Sequence, residues 1–192
     1  MKRDTRQAII EAGAELVHRQ GFHRTGLKEI LDAAGVPKGS FYFYFPSKED
    51  LGLALIEHFA RGIGERAGAI LDDASLPPLR RLERFFALGR KRLAEWSCER
   101  GCPLGNLAQE MSDLSPAMRE AVGRELRNLA GALARTLAEA ARDGDIPPDL
   151  DPARTAAFLL DAWEGAILRM KVEKSTEPLQ RVEEFVFQRV LR

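Results

Sequence analysis

A surplus of charge of either sign is missing from this sequence. Its 29 Lys and Arg are matched by 29 Asp and Glu, so the chain as a whole is no generic polyanion binder. Any potential toward a charged partner must come from placement. The first 50 residues are nearly balanced too: eight Lys/Arg (Lys2, Arg3, Arg6, Arg19, Arg24, Lys28, Lys38, Lys48) stand against seven Asp/Glu. Two cysteines in 192 residues do not suggest a disulfide framework. The three histidines, His18, His23 and His58, lack metal-ligand spacing. There is no nucleophile elbow, phosphate loop, metal motif or cofactor signature. Glu110 and Asp113 lie near Cys102 in sequence, but no His accompanies them, and an enzyme is not expected. No apolar run reaches transmembrane length and no signal peptide opens the chain, so a cytoplasmic protein is expected. No segment alternates like a strand with turn chemistry, and no repeat or low-complexity tract occurs.

What is present is helical periodicity. A helix is predicted from about Asp4 to Gln20, with Ile9, Gly13, Leu16 and Val17 on one face, Gly21 at its end and Phe22 closing a small core. Leu27, Ile30, Leu31 and Ala34 form the apolar face of a second helix, capped by Thr25 and ended by Gly35. Pro37 then opens a third, to about Phe43. Glycine just past one helix and proline at the start of the next are the expected punctuation of a tight turn between two helices.

Positions 41–45 are Phe-Tyr-Phe-Tyr-Phe, five consecutive aromatics beside Lys38, Gly39 and Ser40. Phe41 and Phe45 lie four apart and are expected to face inward. Lys38, Gly39, Ser40 and Tyr42 are left outward. Glycine permits close backbone approach, serine and tyrosine hydroxyls can donate to phosphate oxygens, and lysine adds charge. In a helix-turn-helix the second helix of the pair enters the major groove of DNA. Ser47-Lys48-Glu49-Asp50 reads as an N-cap with acids in the first turn of a long fourth helix carrying Leu55, Ile56, Phe59, Ile63, Ile70 and Leu71.

Residues 5–55, with Thr-Arg-Gln-Ala-Ile-Ile-Glu-Ala-Gly, Gly-Phe-His-Arg-Thr and Val-Pro-Lys-Gly-Ser-Phe-Tyr-Phe-Tyr-Phe-Pro-Ser-Lys-Glu-Asp-Leu, resemble the N-terminal domain of TetR-family transcriptional regulators. The resemblance implies an all-α fold: a three-helix DNA-binding domain, placed at 1–47, and a helical effector-binding and dimerisation domain, placed at 48–192. It implies a homodimer that binds a pseudo-palindromic operator in double-stranded DNA, represses transcription, and is released by a small-molecule effector. The DNA-binding residues expected are Thr25, Lys38, Gly39, Ser40, Tyr42, Tyr44 and Lys48. Gly26 departs from the family pattern, where a second hydroxyl residue is common.

The remaining three quarters are punctuated by proline and glycine at Leu76-Pro77-Pro78, Gly101-Cys102-Pro103, Ser115-Pro116, Gly144 to Pro148, Asp151-Pro152 and Glu177-Pro178. Between these breaks further helices are predicted. The last two are apolar over wide arcs, with Phe158, Leu159, Leu160 and Trp163, then Phe185, Val186, Phe187, Val190 and Leu191. An arc that wide needs cover on two sides; a second copy of the chain is expected to supply the other side, the alternative being a monomer whose ends are simply well buried.

For the effector, aromatic and sulfur-bearing residues suit an apolar pocket with few polar groups: Phe59, Ile63, Phe85, Phe86, Trp96, Cys102, Asn106, Met111, Trp163 and Met170, with Asn106 as polar anchor. Taken singly, each of these residues is better read as helical core; it is the set together that suits a pocket. Cys102 stands at a helix break beside Arg100, where a thiol can gain thiolate character; the alternative is a buried cysteine acting as a small hydrophobe. Gly-Cys-Pro-Leu-Gly-Asn-Leu-Ala at 101–108 resembles a TetR branch that includes sensors of reactive electrophiles and acrylate-like compounds. The rival class is a helical adaptor whose tyrosine-rich helix binds protein. Steep weakening with salt marks a DNA reader instead.

Overall fold

The computed structural model describes residues 4–192; Lys2 and Arg3, counted in the N-terminal charge above, lie outside them. The described residues form helices and no strands. The chain divides into two compact units, and the division does not follow sequence order. One unit comprises residues 1–62 and 103–125, the other 63–102 and 126–192. The boundary expected after residue 47 falls inside the first unit.

The first unit begins with α1 (Thr5–Gln20), capped by the Asp4 carboxylate, which accepts from the N–H groups of Arg6 and Gln7. α2 (Leu27–Ala34) follows, then a 3-10 turn (Lys38–Ser40) running into α3 (Phe41–Tyr44), and then α4 (Lys48–Leu71), whose residues to Gly62 belong here. α6 (Pro103–Met111) and the start of α7 (Pro116–Arg142) complete it. Ile9, Ile30, Leu31, Phe41, Phe45, Leu51, Leu55 and Ile56 are buried, as the apolar spacing requires. The Ser47 cap is present, since its Oγ accepts from the Asp50 N–H at 3.1 Å.

Two local expectations are corrected. The residue at the N-cap of α2 is Gly26, and no side chain caps it. The Thr25 hydroxyl turns the other way and donates to the Gly21 carbonyl at 2.6 Å, closing the α1–α2 turn. The third helix is not α-helical from Pro37. Pro37 is extended (φ −61, ψ 142), and the first turn is a 3-10 turn closed by Ser40 N–H on the Pro37 carbonyl. A residue extended in this way cannot be the first residue of an α-helix.

The second unit contains the rest of α4, α5 (Pro78–Glu95), the rest of α7, α8 (Pro152–Glu173) and α9 (Glu177–Phe185), which continues as a π turn over Val186–Val190. Its core joins Leu71, Leu82, Phe86, Leu133, Leu137, Leu159, Trp163, Met170, Leu179 and Leu191. Arg81 is buried at the end of α4. Its guanidinium donates to the carbonyls of Leu71 (2.7 Å) and Leu76 (3.1 Å) and pairs with Glu139 (2.5 Å). The two carbonyls are groups that a helix end and the following loop leave without a helical partner. No described helix is long and apolar enough to cross a membrane.

Candidate nucleic-acid interface

The face that the sequence singles out is built outward from two buried rings. Gly35 ends α2 at φ 68, ψ 36, a left-handed conformation natural to glycine. Val36 N–H reaches back to the Leu31 carbonyl at 2.9 Å, a helix end that turns the chain sharply. Pro37 then directs it into the 3-10 turn and α3. The Phe41 and Phe45 rings are buried with centroids 5.6 Å apart, and the Arg6 guanidinium lies over Phe45 at 5.2 Å. These anchors fix which way α3 points.

The opposite side is open. Lys38 and Gly39 are exposed, Ser40 and Tyr44 are half-buried, and Tyr42 is 61% exposed. Gly39 has neither a positive φ nor any atom within 4 Å of where a Cβ would stand, so nothing inside the chain requires glycine there. The structure thus brings together Lys38, Gly39, Ser40, Tyr42 and Tyr44 on one short element. Thr25 and Lys48 are held elsewhere. Thr25 is 0% exposed, with its hydroxyl inside the turn. The Lys48 ammonium donates to the Phe22 carbonyl at 2.7 Å and lies 4.6 Å from the centre of the Phe22 ring. Burial pushes the Lys48 pKa below its ordinary value, and the nearby Glu110 carboxylate opposes that shift.

The candidate effector residues separate. Phe59, Asn106 and Met111 belong to the first unit; Ile63, Phe85, Phe86, Trp96, Cys102, Trp163 and Met170 belong to the second. In the second unit Phe86 is the hub: its ring meets Trp163 at 4.9 Å, Phe85 at 5.3 Å and Phe187 at 6.0 Å, edge to face. Phe86, Trp163 and Met170 are buried in the core, while Phe85, Trp96 and Cys102 are partly buried against it. Arg92 and Arg100 lie over Trp96 at 5.5 and 5.6 Å. The Cys102 thiol donates to the Glu164 carboxylate; burial raises the Glu164 pKa, and this hydrogen bond pulls it partway back. Both cysteines are free, and no group of described residues could hold a metal ion.

A family profile described as bacterial regulatory proteins, tetR family, matches residues 9–55, and one described as tetracyclin repressor-like C-terminal domain matches residues 78–186. The chain belongs to the TetR family. The curated regulator AcuR of Cereibacter sphaeroides is 40% identical over 173 residues, covering 90% of this chain and 79% of that protein. The repressor DhaR of Mycobacterium sp. GP1 is 36% identical over 186 residues, 97% and 92% of the two chains. Among solved structures, regulatory protein TetR from Rhodobacter sphaeroides superposes with a TM-score of 0.90 at 39% identity, covering 97% and 98%. The reduced form of E. coli NemR gives 0.92 at 29%, covering 99% and 98%. This TetR-family chain is therefore a DNA-binding transcriptional regulator that acts as a homodimer on operator DNA and answers to a small-molecule effector. Relatives in the family are named as repressors and transcriptional regulators.

The sequence reading gives no structural or binding role to three residues of interest. Phe43 stands out from α3, and its place between the two inward phenylalanines was a usable signal. Glu110 accepts the His23 N–H at 3.1 Å in the turn before α2, and Glu164 holds Cys102. These two had no signal, because their partners lie far away in sequence.

Proposed function

We propose that the homodimer is a repressor that sets two copies of the 38–44 face into successive major grooves of a pseudo-palindromic operator. The observation that supports this is the open Lys38–Gly39–Ser40–Tyr42 surface, braced from below by the buried Phe41 and Phe45 rings. In this reading residues 1–47 are the DNA-binding domain and 48–192 carry effector binding and dimerisation. Lys38, Gly39 and Ser40 approach the bases, and Tyr42, Tyr44 and Lys48 touch phosphate. Thr25 acts by fixing the α1–α2 turn rather than by touching DNA with its hydroxyl. The protein works in the cytoplasm and carries out no catalysis.

For the dimer we favour the α8–α9 face. Phe158, Ala162, Gly165, Arg169 and Val172 recur at steps of four and three along α8, beside Pro178, Arg181, Val182 and Phe185 on α9. Phe158 and Phe185 are 50% and 58% exposed, and a seam with that spacing is what a partner helix packs into. The effector is assigned to the second unit, where Phe85, Trp96 and Cys102 flank the Phe86–Trp163 cluster, with Ile63 and Met170 in the same unit. Phe59, Asn106 and Met111, also expected from the sequence, belong to the first unit and form no part of this assignment. The testing experiment is protection of DNA upstream of the protein's own gene, followed by a salt series. A protected palindrome whose affinity falls steeply with salt supports the reading. Binding to no duplex, or binding indifferent to salt, overturns it in favour of a protein-interaction role.

A further inference from the structure

Phe43 is 84% exposed, the highest value among the described large apolar side chains. It lies two residues from Phe41 and two from Phe45, roughly half a helical turn from each, so burying those rings turns Phe43 out. Tyr44 packs edge-on against the ring, with centroids 5.0 Å apart at 85°. Gly39, which no internal feature requires to be glycine, lies one turn earlier, and side chains on a helix lean toward the preceding turn. An outward apolar ring therefore shares one short exposed element with Lys38, Gly39, Ser40 and Tyr42.

A phenylalanine has no hydrogen bond to offer a base edge. In the major groove the apolar group that distinguishes one base pair from another is the 5-methyl of thymine. Resting on the DNA-reading face proposed above, we infer that Phe43 is a specificity-determining residue that recognises a pyrimidine 5-methyl group, normally that of thymine, at one position in each operator half-site.

The test uses the full-length homodimer and a duplex selected by it from a random pool. Each thymine of a half-site is replaced in turn by deoxyuridine, which removes only the methyl. At one thymine per half-site the affinity should fall about fourfold, and about fifteenfold when both half-sites are changed, the worth of one buried methyl each. Phe43→Ala should bind the thymine and deoxyuridine duplexes alike, with an unchanged salt slope because no phosphate contact is lost. Phe43→Leu, which keeps an apolar tip, should retain part of the discrimination. Placing 5-methylcytosine instead of cytosine at that position should strengthen wild-type binding about fourfold and leave Phe43→Ala unmoved. A flat deoxyuridine scan of the wild type overturns the inference, as does a methyl effect that persists undiminished in Phe43→Ala. If no duplex is selected at all, the DNA-reading proposal falls with it, so the two failures can be told apart.

Discussion

Removing the Lys48 ammonium separates two roles that the structure and the DNA-binding proposal give to one side chain. Lys48→Met keeps the aliphatic stem and deletes the charge. In the protein alone, the ammonium donates to the Phe22 carbonyl at 2.7 Å and sits over the Phe22 ring, tying the first residue of α4 to the turn after α1. A hydrogen bond from a charged donor contributes about 1.5–3 kcal/mol, and a partly exposed ammonium over a ring about 0.5–1 kcal/mol. Against this, burial holds the Lys48 pKa below its ordinary value, so part of the charge's hydration is already lost and deleting the charge recovers it. The net expectation is a destabilisation of about 1–2 kcal/mol, or roughly 2–8 °C in Tm for a chain of this size. It should be read by thermal and urea unfolding at fixed protomer concentration, since dimerisation makes Tm concentration-dependent.

The DNA assay is independent of that result. If the ammonium also contacts a phosphate in each half-site, two contacts are lost per dimer, and the slope of log affinity against log salt should fall by roughly 1.8. The loss should be the same for every duplex, because phosphate carries no sequence information. An unfolding curve that does not move would refute the tether to Phe22. An unchanged salt slope would refute the phosphate contact and leave Lys48 with a purely structural task.

Further outcomes follow from other single groups. Tyr42→Phe removes one exposed hydroxyl and should weaken binding to all duplexes alike while leaving stability unchanged; a changed sequence preference in a selection experiment would refute the phosphate assignment. Arg81→Met strips two carbonyls and Glu139 of their donor and should cost about 2–4 kcal/mol in urea unfolding; a loss under 1 kcal/mol would mean that water replaces it. Burial raises the Glu164 pKa above 4.5, so the folded state binds this proton more tightly than the unfolded chain. The associated stability is complete below about pH 4.5 and is lost as pH rises through the folded value. Glu164→Gln should flatten that decline in melts taken between pH 4 and 7, and a slope equal to wild type would refute the shift. N-Ethylmaleimide should release operator DNA from the wild type and not from Cys102→Ser; equal release from both would remove Cys102 from the effector response.

Helix boundaries were legible because prolines mark them. Pro78, Pro103, Pro116 and Pro152 each open a helix, and Pro178 is the second residue of another. That position suits a residue with no N–H to donate. The orientation of α3 was legible because two phenylalanines four apart share one face, and both rings are buried. What could not be read were the contacts between groups distant in sequence. The inward turn of Thr25 depends on a carbonyl presented by Gly21 at φ 90, and hydroxyl chemistry alone fits a helix cap equally well. Cys102 was placed beside Arg100 from sequence adjacency, but the hydrogen-bond partner found for its thiol is a carboxylate on α8, and Arg100 lies over Trp96.

The first unit is assembled from two separate stretches of the chain. The chain leaves the first unit within α4, returns to it between Cys102 and Pro103, and leaves again within α7. α6 and the start of α7 thereby belong to the same unit as α1–α3, and side chains between Glu110 and Met118 show why. Glu110 accepts the His23 N–H in the turn before α2. Ser115 donates to Glu49 in the first turn of α4. Met118 fills the space over Gly52, where an added Cβ would come within 2.9 Å of it. An effector changes DNA affinity only through different affinities for the DNA-competent and released states. On the DNA-binding reading proposed above, an effector acting within the first unit would act on groups from its second stretch of chain. Residues 103–118 are such groups, packed on the turn and the helix that carry the recognition element, and the peptide bond from Cys102 leads directly into them.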